Sequence, residues 1–266
     1  MKAYGVIGIL LLLFGNIILF VDIFGLNKFY FPIVWIGFIL TLDYVVFLAK
    51  GKSIIVNDYR KIVAMFIISA PFWKIYEYIN LRLQNWHYTG IEFFGVYGDL
   101  FAFISFATVI PAFFVTLSLF SKKYDIKPKN KPTKNFVAIS VLIGILLFAL
   151  MMRYPLYFFP FVWVFLFLIL DSINYSNKRP SVLYFIRNKN WKLIGAFVAA
   201  SFFMGFFWEV WNYFASVRWT YSVPFVDFVH VFEMPLLGYL GYVPFGFTIF
   251  AFYYFIEYLF THNNQY

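Results

Sequence analysis

The sequence predicts an all-α integral membrane protein of about eight transmembrane helices, set out as two parallel tandem four-helix repeats. Three observations predict it: the composition, the succession of apolar runs, and a displaced echo of polar residues. Hydrophobic residues make up 63% of the 266 positions and charged residues 12%, whereas a soluble domain carries about 25% charged residues. Such a chain has too little polar surface to face water on all sides. Phe alone fills 40 positions, which suits lipid contact and tight helix packing. A transmembrane barrel would show alternating segments of about ten residues instead of continuous apolar runs. Cysteine is absent, which removes disulfides, thiolate metal sites and cysteine nucleophiles.

A span needs about 20 apolar residues. Eight runs qualify, near 4–24, 29–49, 62–83, 99–120, 136–152, 156–170, 193–214 and 236–260. The first is too long for a signal-peptide core and has no small-residue cleavage pattern, so it reads as a retained span. The fifth and sixth are short and divided by Met152-Arg153-Tyr154-Pro155. Lys2 and the loops at 50–61, 121–135 and 172–192 hold 16 of the 21 Lys and Arg. Basic loops stay cytoplasmic, so the expected setting is the cytoplasmic (inner) membrane with both termini inside. The +9 net charge is thereby explained by topology, and no nucleic-acid partner is expected.

The polar run Lys122 to Lys134, with two prolines, reads as a cytoplasmic linker. The expected division is residues 1–121 as membrane repeat one, 122–135 as linker and 136–266 as membrane repeat two. Four spans per repeat is an even number. The copies then enter the membrane in the same direction, about a pseudo-two-fold axis along its normal. The echo itself starts with Pro32, Trp35, Asp43 and Ser53, which recur 128 positions on as Pro160, Trp163, Asp171 and Ser181. Lys61 maps to Lys192. Glu77 and Asn80 map to Glu209 and Asn212, and Trp86 and Tyr88 to Trp219 and Tyr221. Gly95 and Gly98 map to Gly238 and Gly241, and the offset only grows, as loop insertions would make it.

Ionisable residues within spans are costly, so each is a functional hypothesis. Glu77 and Asn80 are three apart, as are Glu209 and Asn212, so each pair shares one helical face. Both glutamates lie roughly 22–24 Å from the start of their span. Pseudo-symmetry brings them into one cavity, where low dielectric and like charge make them candidate proton donors. The plainer reading is that Glu and Asn bond neighbouring helices. Lys74, one turn before Glu77, can pair with it, while Phe206 stands at the equivalent place in the second repeat. Glu209 therefore lacks that cation, although Arg218 can reach it from the outer loop, and the second repeat reads as the working half.

Asp227, His230 and Glu233 are spaced three apart, and on a helix they would project from one side. Such a set suits acid–base work or substrate contact better than metal binding, and the plainer reading is a short interfacial segment whose polar residues are simply hydrated. Asp43 and Asp171 each precede a serine by ten positions and read as caps or lysine partners. Trp86-x-Tyr88 and Trp219-x-Tyr221 suit an interfacial aromatic belt or a pocket wall. The two Gly-x-x-Gly pairs suit close contact or a hinge entering the fourth span of each repeat. There is no nucleophile elbow, HExxH or Walker pattern, and no cofactor is expected.

Trp208-Glu209, then Trp219-x-Tyr221, then Pro244 and a Phe-rich stretch resembles the membrane lycopene cyclase domain family. That family shows a Trp-acid pair, a later Trp-x-aromatic, and a Pro-x-Glu-Glu segment leading into a Phe-rich helix. The first repeat has Glu77, Trp86-x-Tyr88 and Asp99 in comparable order. Phe245-Gly246 and Asp99-Leu100 stand where the family has its paired glutamates. The resemblance implies a helical bundle that holds a long apolar isoprenoid, with carboxylates that move protons on a polyene without redox chemistry.

Three functions stay open. The first is an intramembrane acid–base enzyme or binder for an isoprenoid, carotenoid or other lipid near the outer leaflet. There Glu209, Asn212, His230 and Glu233 would do the chemistry, while Glu77, Asn80, Trp86, Tyr88, Arg218, Trp219, Tyr221 and Asp227 would hold the substrate. The second is a transporter or flippase with proton coupling through Glu77 and Glu209. The third is a non-catalytic subunit of a membrane complex. Membrane lipids or an apolar isoprenoid are the expected partners, with a homo-oligomer or larger assembly as the protein partner.

Overall fold

A computed structural model describes residues 2–21 and 25–262, the last by its backbone alone. Among these residues, eight helical segments are long and apolar enough to cross a membrane. They are α1 (Ala3–Phe20), α2 (Leu26–Lys50), α3 (Tyr59–Leu83), α4 (Ile91–Phe120), α5 (Lys134–Arg153), α6 (Pro155–Ser176), α7 (Trp191–Tyr213) and α8 (Leu236–Thr261). All eight sequence-predicted runs are present. The last residues expected of the first run, 22–24, lie outside the described set.

Local chemistry sets the ends. Asp58, Asn190 and Thr133 accept hydrogen bonds from the first-turn amides of α3, α7 and α5, satisfying donors that a helix start leaves unpaired. Gly51 ends α2 with φ of 70°, the left-handed conformation that glycine adopts without strain. Pro155 opens α6 at its first turn, where its missing N–H costs nothing. Pro71 lies inside α3, and Ser69, two residues before it, ties this helix to α4 by donating its hydroxyl to the Phe106 carbonyl at 2.6 Å.

Helices α3, α4, α7 and α8 form the centre. The α1–α2 pair packs on one flank and the α5–α6 pair on the other. Each flanking pair is drawn close by glycine. A Cβ on Gly8 would lie 2.7 Å from the Thr41 nitrogen of α2, and one on Gly144 would lie 2.8 Å from the Phe165 carbonyl of α6. With no hydrophobic drive between helices in lipid, such close backbone approach supplies packing. Between the central helices, Phe113, Phe114, Phe197 and Phe250 are wholly buried, with Phe197 and Phe250 ring centres 4.9 Å apart.

The two aspartates are caps. Asp43 accepts from the Ser53 hydroxyl at 2.6 Å and the Ile55 amide at 3.2 Å. Asp171 accepts from the Ser181 hydroxyl at 2.6 Å and from the Val182 and Leu183 amides. Both are fully buried and neither pairs with a lysine among the described residues. At the opposite end of the bundle lies a two-stranded antiparallel sheet, β1 (Trp86–Thr89) and β2 (Arg218–Tyr221). Trp86 faces Tyr221 and Tyr88 faces Trp219, with His87 opposite Thr220 between them.

Candidate functional site

Each strand is held by the asparagine that precedes it. Asn80 donates to the Trp86 carbonyl at 2.7 Å and accepts from the Asn85 amide at 2.9 Å. Asn212 donates to the Trp219 carbonyl at 2.8 Å and accepts from the Trp219 amide at 2.9 Å. A side-chain amide offers both a donor and an acceptor, so one residue satisfies both backbone groups where the helix gives way to the strand. The Glu/Asn spacing places each glutamate one turn earlier on the same face, beneath the strand that its asparagine fixes.

The strands roof a partly open cavity of about 770 Å³, within the range of pockets for small apolar molecules. Trp73, Trp86, Phe106, Trp163, Trp208 and Phe245 supply much of its wall, and Leu237 and Leu240 add aliphatic surface. Behind this wall Tyr76 stacks on Trp163 at 5.3 Å and Trp35 meets Trp208 at 5.4 Å. The glycine pairs border the cavity through Gly95, Gly98, Gly238 and Gly241. Gly95, at φ of 49°, marks the kink within the first turns of α4.

Glu77 lines this cavity. Its Oε1 accepts from the Trp73 indole at 2.7 Å, the Tyr88 hydroxyl at 2.7 Å and the Trp86 indole at 3.1 Å. Burial, and secondly the Glu77 carboxylate, hold the Tyr88 phenol well above its ordinary range, so it stays a donor. Glu209 is placed differently. It is fully buried and does not line the cavity. Its Oε1 accepts from Tyr242 at 2.6 Å and Tyr221 at 2.7 Å, two tyrosines that do line it. Burial first, then Glu209, raise the Tyr221 phenol well above its ordinary range. The Trp219 indole in turn donates to the Tyr221 oxygen at 2.7 Å. Glu209 Oε2 is buried without a hydrogen-bond partner among the described residues.

Several sequence expectations are corrected by this geometry. The two glutamates do not share a cavity, because Tyr221 and Tyr242 stand between Glu209 and the open space. Lys74 pairs with Asp99 at 3.6 Å, leaving Glu77 to neutral indole and phenol donors. Arg218 pairs with Glu233 at 3.1 Å instead of Glu209. The Asp227-His230-Glu233 segment is not helical: it runs through turns into β3 (His230–Val231), which pairs with β4 (Met234–Pro235). Asp227 and His230 bond each other at 2.8 Å on an exposed surface, Glu233 goes to Arg218, and none of the three lines the cavity. The half that meets the cavity through its carboxylate is therefore the first, not the second.

Trp73 and Tyr242 were not among the sequence candidates. The i, i+4 spacing of Trp73 and Glu77 on one helix face was a usable signal. Tyr242 had none, because its partner lies 33 positions away on another helix. Comparison with protein-family models, curated proteins and solved structures finds no match for this chain.

Proposed function

We propose that this protein binds an apolar, isoprenoid- or carotenoid-like molecule in the aromatic cavity, near the outer leaflet of the cytoplasmic membrane, and presents it to acid–base groups. The observation that carries this reading is the cavity itself: ring-lined walls with a hydrogen-bonded carboxylate set into them. Glu77 meets the ligand. Glu209 acts from behind, through the Tyr221 and Tyr242 hydroxyls that it holds. Asn80 and Asn212 position the strands that carry Trp86, Tyr88, Trp219 and Tyr221.

Tandem duplication with a pseudo-two-fold axis belongs to the same proposal. It is supported by the matched Asp–Ser and Asn–strand hydrogen bonds and by the mutual pairing of the two Trp-x-Tyr strands. Cytoplasmic termini are supported by the lysine-rich loops. A transport path would have to cross the space between α3, α4, α7 and α8. Buried Phe72, Phe113, Phe114, Phe197 and Phe250 fill it, which favours a binding site over a path across the bundle.

Extraction of purified protein followed by mass spectrometry tests the reading. Wild type is expected to carry a bound apolar lipid, and Ala102→Trp, which fills the cavity, to lose most of it. Equal lipid content in the two proteins would overturn it.

A further inference from the structure

Five charged residues line the cavity: Lys74, Arg218, Glu77, Glu92 and Asp99. Both cations are already engaged, Lys74 by Asp99 at 3.6 Å and Arg218 by Glu233 at 3.1 Å. Glu77 and Glu92 have no ion-pair partner among the described residues. The charge left uncompensated at the site is therefore negative.

Glu77 adds a direction to that charge. Trp73, Trp86 and Tyr88 all donate to Oε1, and no described residue donates to Oε2. Half-buried Glu77 nevertheless lines the cavity, and Oε2 is not among its sealed, unpartnered atoms. A carboxylate oxygen is an acceptor only, so what it takes is a donor. A phosphate or carboxylate at the same place would meet like charge with no free cation to offset it.

We infer that the cavity selects an apolar chain ending in a hydrogen-bond donor, an alcohol or an ammonium group, which Glu77 Oε2 accepts, and disfavours the same chain ending in phosphate. This rests on the binding reading above and names the ligand's polar end. The two donor sources differ in charge, and separate ligands distinguish them.

The experiment titrates purified wild-type protein with farnesol, farnesylamine and farnesyl phosphate at neutral pH and low salt, following quenching of the cavity tryptophans. The better of the two donor ligands should bind at least about tenfold more tightly than the phosphate, the discrimination that one charged hydrogen bond supplies. Preference for the amine would assign an ammonium end, and preference for farnesol an alcohol. Glu77→Leu should erase the preference while the farnesyl chain still binds. Equal or tighter binding of farnesyl phosphate to wild type overturns the inference and leaves the apolar cavity standing. Failure of all three to bind overturns the cavity reading as well. The wild-type ranking needs no variant, so a misfolded Glu77→Leu protein does not blunt the test.

Discussion

The Glu77 and Glu209 sites use the same frame to place a carboxylate, yet one faces the cavity and the other is sealed behind it. In each, an asparagine three residues on pins a Trp-x-Tyr strand whose tyrosine donates to the glutamate. The difference begins one turn before each glutamate. At Glu77 that place is Trp73, whose ring lies against Trp208 and Phe245 and whose indole donates to the carboxylate. Four residues before Glu209 stands Gly205, and the vacant volume is occupied by Tyr242 from α8, whose hydroxyl donates instead. One donor comes from the glutamate's own helix and leaves the carboxylate open to the cavity. The other comes across from a neighbouring helix and closes over it. Tryptophan at one place and glycine at the other thus accompany a carboxylate that lines the cavity and one that is sealed in the interior.

The largest effect should fall on the feature the two sites share. Asn212→Ala would strand both the Trp219 amide and carbonyl in a buried setting, costing about 2–4 kcal/mol. Asn80→Ala should cost somewhat less, since Asn80 retains slight exposure. Reversible unfolding in mixed micelles measures both, and a near-neutral Asn212→Ala would break the idea of a common frame.

The glycine exchange is tested next. A Cβ on Gly205 would come within 2.6 Å of the Tyr242 ring. Gly205→Ala is therefore expected to destabilise by about 1–3 kcal/mol through overpacking. On the same helix a Cβ at Gly195 meets nothing within 4 Å, so Gly195→Ala should be neutral or slightly stabilising. Equal behaviour of the two variants in the same unfolding assay would contradict the account of Tyr242.

The smallest effect separates the donors. Tyr242→Phe removes one of two hydrogen bonds to a fully buried carboxyl and is expected to cost about 1–2 kcal/mol. Tyr88→Phe leaves Glu77 both indole donors and should cost less. The reverse order of melting temperatures would mean that Glu77 depends on its tyrosine more than the geometry indicates.

Eight spans and the polar Glu and Asn positions within them were legible, because lipid demands long apolar runs and makes each interior polar residue conspicuous. The Asp–Ser caps were legible for a related reason, a buried acid followed at fixed distance by a serine. Other features were not. Asp227, His230 and Glu233 have helical spacing, but Pro224 and Pro235 flank them and Phe225 and Phe232 adopt positive φ. The chain turns there, and the three side chains part company. Lys74 sits one turn from Glu77, yet a flexible lysine reaches Asp99 on α4 just as readily, and spacing along one helix does not rank partners on another.

The sequence by itself therefore determined which segments are helical and apolar enough to cross a membrane, and which polar residues stand within them. Those properties follow from local composition and periodicity. Only the tertiary structure decided what each polar residue faces. Whether a carboxylate is a wall or a foundation depends on rings arriving from other helices, as Tyr242 does over Gly205, and no local pattern encodes that arrival.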